Sequence, residues 1–156
     1  MTANASEAIA DRVLSHPFFV DIDPTLVHAM VSKAEERSYD TGDMLVHEGK
    51  SAEEFFLVLE GKIALEIGGG DRPGITVETI EKGEILGWSW LVAPYRWRFD
   101  ARASKPTKVI ALNAAAARYA LAAHPAFGYH FLMKLLPVIA DRLENTRVQL
   151  LDIHGH

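Results

Sequence analysis

Between Arg37 and Leu112 the chain is a succession of short apolar runs, each cut off by glycine, proline or aspartate before a helix could form. An amphipathic helix needs apolar positions recurring every three to four residues over a longer stretch, whereas runs this short bury a face only by pairing as strands. The candidate strands are Met44 to Val46, Phe55 to Leu59, Ile63 to Ile67, Ile75 to Ile80, Glu84 to Leu86, Phe99 to Ala103 and Val109 to Leu112. Turns at Thr41-Gly42-Asp43, Glu48-Gly49-Lys50, Glu60-Gly61-Lys62, Gly68 to Gly74 and Glu81-Lys82-Gly83 separate them, using the access of glycine to positive φ. Seven or eight short strands of this kind predict a small all-β sandwich or barrel.

Helices are expected on both sides. Ser6 is an N-cap candidate for a helix through about Ser15, which His16-Pro17 ends. Asp23-Pro24 restarts a helix whose Leu26, Val27, Met30 and Val31 form an apolar stripe, with an end expected near Glu35. After the strands, Asn113 caps the alanine-rich run Ala114 to Ala123, and a longer helix is expected from about Pro125 to Ile153. In that helix Leu132, Leu136, Ile139, Leu143, Thr146, Leu150 and Ile153 step by alternating fours and threes, the spacing of a helix lying along another helix. Leu132, Leu136, Ile139, Leu143 and Leu150 are therefore the candidate seam of a homodimer. The competing reading is that the stripe covers the chain's own β core, and Pro137 is expected to kink or restart the helix.

One domain is expected for 156 residues, divided into N-terminal helices (1–35), a β portion (36–112) and C-terminal helices (113–153). A net charge of −5 is unsuited to tracking phosphate backbones. The absence of cysteine excludes disulfides, thiolate nucleophiles and thiolate-held metals. No apolar run approaches the roughly 20 residues that span a bilayer, so no membrane association and a cytoplasmic location are expected. No Gly-x-Ser-x-Gly elbow, P-loop lysine or dinucleotide glycine pattern occurs, which points away from an enzyme. A cupin-like metal enzyme, the minor alternative for a β-barrel, would need several histidines in the barrel; of those at 16, 28, 47, 124, 130, 154 and 156, only His47 falls there, and no metal site is expected.

Gly42-Asp43-Met44-Leu45-Val46-His47-Glu48-Gly49, followed by Phe55-Phe56-Leu57-Val58-Leu59-Glu60-Gly61-Lys62-Ile63, resembles the front half of the cyclic nucleotide-binding domain of catabolite-activator-type regulators, protein kinase regulatory subunits and gated channels. The resemblance covers about Pro17 to Leu151. It implies a mainly β fold with flanking helices: a β-roll, or jelly-roll-like barrel, with short N-terminal helices and two C-terminal ones. It also implies a phosphate-binding cassette between two late strands, in which backbone N–H groups and an arginine meet a cyclic phosphate while a glutamate takes the ribose hydroxyl.

Matching Gly83 and Gly87 to the family glycines puts Trp88 where that glutamate should stand. Matching back from Ala101-Arg102-Ala103 puts Trp97 at the arginine position, or Arg98 after a one-residue shift, and turns Phe99 inward where the family keeps a small residue. Two readings follow. The aromatics fill the pocket and leave a ligand-free interaction scaffold, or Trp88 or Trp97 stacks on a ligand while Arg96 or Arg98 meets a negative group, with Gly87, Ser89 and Phe99 completing the site. The effector would be cyclic AMP, cyclic GMP or another anionic or aromatic molecule. Glu84, a tempting replacement for the ribose carboxylate, reads as an exposed turn residue, and Arg102 as outward-facing.

The family's transcription factors carry a helix-turn-helix after the long helix. This sequence stops at His156, so no helix-turn-helix and no direct DNA binding are expected, and a protein partner would read the C-terminal helices.

Overall fold

Phe55, Phe56, Leu57 and Val58 are consecutive and all buried, which a strand achieves only when both of its faces are covered. The computed structural model, which describes residues 2–31, 33–68 and 74–154, supplies both covers. The chain runs α1 (Thr2–Ser15), α2 (Pro24–Met30), β1 (Glu35–Tyr39), β2 (Met44–Val46), β3 (Glu54–Glu60), β4 (Lys62–Ile67) and β5 (Ile75–Glu81). It continues through β6 (Ile85–Leu86), β7 (Asp100–Ala103), β8 (Thr107–Asn113), α3 (Ala114–Ala123) and α4 (Pro125–His154). The strands make two four-stranded antiparallel sheets, β1-β8-β3-β6 and β2-β7-β4-β5. This is the expected roll with helices at its ends, but it is not a closed barrel.

Alternation along β3 assigns its two sides. The ring of Phe55 stacks on Trp90 at 4.0 Å, and Trp90 meets Phe131 of α4 edge-on at 5.9 Å. Phe56 turns the other way, toward Trp97 at 6.4 Å. Phe18 and Phe19, between α1 and α2, lie 5.3 and 6.0 Å from Phe131, so aromatic rings join the α1–α2 connection and α4 to the roll. Gly61 makes the β3–β4 turn possible: it sits at φ +104, and an added Cβ would come within 2.5 Å of the Pro106 carbonyl oxygen.

The helix ends follow local chemistry. Asp23 accepts a hydrogen bond from the Thr25 N–H with Pro24 opening α2, and Asn113 accepts one from Ala116 at the start of α3. α3 buries Ala114, Ala117 and Ala120, side chains small enough to bring its axis close to its neighbours.

Several sequence expectations are corrected. α1 begins at Thr2, ahead of Ser6, and α2 stops at Met30, well short of Glu35. The residues assigned to its end open β1, whose sequence Glu-Glu-Arg-Ser-Tyr has no apolar alternation to reveal it. β1 forms because its backbone pairs with β8 from Glu35 opposite Ala111 to Tyr39 opposite Thr107, while Arg37 bridges Glu35 and Glu54. Phe99 lies just before β7. α4 is continuous through Pro137, an exposed position where the missing N–H does not break the helix.

The α4 face that covers the core consists mainly of Phe127, Phe131 and Leu135, with Arg142 further along, rather than the stripe that the competing reading assigned to it. Of the seam candidates, Ile139 is partly buried against the core. Leu132, Leu136 and Leu143 are 44, 53 and 63 % exposed, so their own chain leaves them largely uncovered. The side chain of Leu150 lies outside the described residues.

Candidate functional site

Residues 87–99 cross from β6 to β7 without forming a helix. Gly87 has φ +100, and a Cβ there would sit 2.5 Å from the Trp97 indole, so the glycine is both a turn and a seat for the ring. Trp97 is 5 % exposed and packs between Phe56 and Phe99. A phosphate cassette needs free backbone amides, and here several are committed. Leu91 N donates to Trp88 O, Val92 N to Ser89 O, Tyr95 N to Val92 O and Trp97 N to Lys50 O. Trp90 is fully buried and donates its indole N–H to the Gly87 carbonyl. Arg118 of α3 locks the segment from outside, donating to the Trp90 carbonyl at 2.8 Å and lying over the Tyr95 ring at 4.6 Å.

Beside this segment lies a cavity of about 460 Å³. Leu65 and Ile67 of β4, Val77 and Glu78 of β5, Trp88, Val92, Arg98 and Phe99 of the crossing segment, and Ile139, Arg142 and Leu143 of α4 line it, and it opens to solvent. Adjacent residues of a regular strand face opposite ways, yet Val77 and Glu78 both border the cavity. The register explains this: Leu65 pairs with Glu78 but Glu66 pairs with Thr76, a bulge that re-aims the side chains.

The walls are mostly apolar, and the polar groups are few. Arg142 is 5 % exposed; its Nη2 donates to the Ile85 carbonyl, its guanidinium lies 5.5 Å over the Trp88 ring, and its Nη1 is buried without a partner. Oε2 of Glu78 is likewise buried and unpartnered. Burial pushes the Arg142 pKa down, against the pull of the Glu84 and Glu78 charges. Burial pushes the Glu78 carboxyl up, with the Arg142 charge opposing.

The sequence candidates are thus divided. Trp88, Arg98 and Phe99 border the cavity, whereas Gly87, Ser89, Arg96 and Trp97 do not. Ser89 is buried at 2 %. Arg96 is exposed and donates to the Gly49 carbonyl at 2.9 Å, on the β2–β3 side. Trp97 occupies the core. Glu84 accepts from the Glu81 N–H within its turn, and Arg102 reaches Glu66 and the Gly42 carbonyl. Sequence reasoning missed Glu78, Arg118 and Arg142; a lone arginine on the inward face of an otherwise leucine-rich helix was the one signal available for the last. Among the described residues, no group of three or more histidine, aspartate or glutamate side chains could hold a metal, and no helix is long and apolar enough to cross a membrane.

No curated protein sequence matches this chain. Solved structures do. A cyclic nucleotide-binding protein from Geobacter metallireducens is 28 % identical with a TM-score of 0.75, over 86 % of this chain and 97 % of its own. A cyclic nucleotide-binding domain from Methylobacillus flagellatus is 20 % identical with a TM-score of 0.75, over 95 % and 85 %. The sensor domain of the transcriptional regulator DNR from Pseudomonas aeruginosa shares the fold at 14 % identity and a TM-score of 0.71, over 89 % and 93 %. The family model of the cyclic nucleotide-binding domain matches residues 36–124, the whole roll with α3, and with that match the chain belongs to the cyclic nucleotide-binding domain family.

Proposed function

We propose that this chain is a non-enzymatic regulatory module that binds a small effector in the cavity between β4, β5, the 87–99 segment and α4, and signals through α4. The observation that carries the reading is that α4 itself supplies part of the wall, through Ile139, Arg142 and Leu143. An occupant touching these side chains contributes differently to different helix positions, which is the requirement for a ligand to shift a conformational equilibrium. The partly exposed stripe of Leu132, Leu136 and Leu143 then offers the moved helix to a second copy or to a protein partner, rather than to DNA.

The apolar walls favour an aromatic or apolar body. The sequence match puts Trp97, or Arg98 after a one-residue shift, where the family has its phosphate arginine, and the amides of Leu91, Val92, Tyr95 and Trp97 are committed within the protein rather than free for a phosphate. A regulatory subunit of a cAMP-independent protein kinase A from Trypanosoma cruzi, similar in fold at 16 % identity, is described as bound to guanosine, a nucleoside without phosphate. Guanosine therefore belongs beside cyclic AMP and cyclic GMP among the compounds to test.

The test uses the tryptophan that borders the cavity. Emission of the purified protein is titrated with cyclic AMP, cyclic GMP, guanosine and 2-naphthamide, with thermal unfolding in parallel. At least one compound is expected to give a saturable emission change that Trp88→Phe diminishes. At a ligand concentration about 100 times Kd it should add about 2.7 kcal/mol of stability. Silence from every compound in both measurements would overturn the reading and favour a ligand-free scaffold.

A further inference from the structure

Two cations border the cavity and they are not equivalent: Arg98 is exposed, and Arg142 is buried. An exposed guanidinium exchanges water for a ligand at little net gain, whereas a buried, unmatched N–H lacks water to return to. Arg142 and Glu78 both border the cavity, and each carries a buried atom without a partner, Nη1 on Arg142 and Oε2 on Glu78, while the Glu78 carboxylate also hydrogen-bonds the Asn145 side chain and the Thr79 backbone. An orphan buried donor and an orphan buried acceptor on two residues of one cavity wall call for an occupant that serves both.

Charge decides what kind of occupant. Arg142 and Glu78 feel each other's field, Glu84 adds a further negative charge nearby, and the exposed Arg98 at the same cavity is screened by water. An anion bound there would leave uncompensated negative charge in a partly dehydrated site, and a cation would crowd Arg142. A neutral group with an acceptor beside an N–H donor matches both orphan atoms and adds no charge. Trp88 and Phe99, bordering the same cavity, supply faces for a flat ring.

Resting on the pocket reading above, we propose that the effector is a neutral, flat, amide-edged molecule, its carbonyl-type acceptor taking a hydrogen bond from Arg142 and its N–H donating to Glu78. Arg142 then ties the ligand to α4 directly, and recognition does not run through the family's cassette.

Three probes of nearly one shape separate the possibilities: 2-naphthamide carries acceptor and donor, 2-acetylnaphthalene the acceptor alone, and 2-naphthoate a negative charge. Calorimetric titration of the wild-type protein should give 2-naphthamide an affinity about tenfold or more above each of the others, since a site built for a donor rejects the analogue that lacks it. Glu78→Leu should bring the amide down to the ketone, and Arg142→Met should weaken both, while Arg98→Ala leaves the ranking unchanged. Tightest binding of 2-naphthoate, or loss of the ranking in Arg98→Ala, overturns the inference and leaves the pocket standing. Equal binding of all three also overturns it, leaving the polar pair to water in an apolar pocket. Binding of none overturns this inference, and the pocket reading then rests on the emission titrations with cyclic AMP, cyclic GMP and guanosine. The wild-type ranking needs no variant to fold.

Discussion

His16 shows how one side chain ties the packing of this domain to pH. It is 4 % exposed, its Nδ1 accepts from the Phe18 N–H and its Nε2 lies 3.3 Å from the Val58 carbonyl oxygen. That pair of contacts suits the neutral ring with its proton on Nε2. Burial lowers its pKa from 6.5, with the Val58 hydrogen bond opposing. The unfolded chain therefore binds the proton more readily, so the contribution of His16 to stability is complete above about pH 6.5 and is lost as pH falls toward the lowered folded value. Urea midpoints measured from pH 7.5 to 5 should fall more steeply in the wild type than in His16→Gln. Parallel curves would mean that the imidazole does not titrate differently on folding. At the same scale, Gly87 and Trp97 were each visible in the sequence as departures or matches to a family pattern, but their mutual contact was not. Only the folded chain brings the ring onto the glycine.

α4 carries two faces with different tasks. Phe127, Phe131 and Leu135 close the core, while Leu132, Leu136 and Leu143 stand on a neighbouring face at 44 to 63 % exposure. The 3.5-residue spacing found the second face correctly as a helical stripe but could not say whether its own chain would cover it, because both faces have helical periodicity. Leu136→Glu tests what the stripe is for without touching the cavity. If it is a homodimer seam, light scattering should show half the wild-type mass, with melting changed little once dimer dissociation is accounted for. An unchanged mass would remove the seam. β1 gives the opposite lesson: Glu35 to Ser38 are polar and only Tyr39 packs against the core, so pairing with β8 makes a strand that its own composition does not announce.

For the whole molecule, Phe131 is the most connected aromatic, within 6.4 Å of Phe18, Phe19, Trp90 and Phe127. The rings link the N-terminal helices, the crossing segment and α4, so their packing sets where α4 sits over the cavity. Phe131→Ala should cost about 3–5 kcal/mol of unfolding free energy by chemical denaturation. It should also weaken any cavity ligand, although Phe131 does not border the cavity, because α4 loses its reference position. A loss of stability with ligand affinity unchanged would show that the aromatic cluster and the cavity wall are independent.

Apart from β1, the order of short strands, the glycine turns at 42, 49, 61 and 83, the caps at Asp23 and Asn113 and the alanine helix were all decided locally, by φ access, side-chain capping and propensity, and the sequence alone determined them; the expected turn from Gly68 to Gly74 lies largely outside the described residues. The family motif extended that reading to the roll, and the tryptophans at 88 and 97 marked the altered cassette. What the tertiary structure decided was which of those rings is core and which is wall, since adjacent residues in an irregular segment have no fixed alternation. It also decided the polar end of the cavity, where a bulge in β5 and the packing of α4 bring Glu78 and Arg142, more than sixty residues apart in sequence, to the same cavity wall. No spacing rule links those two positions; only the packing of α4 across the roll does.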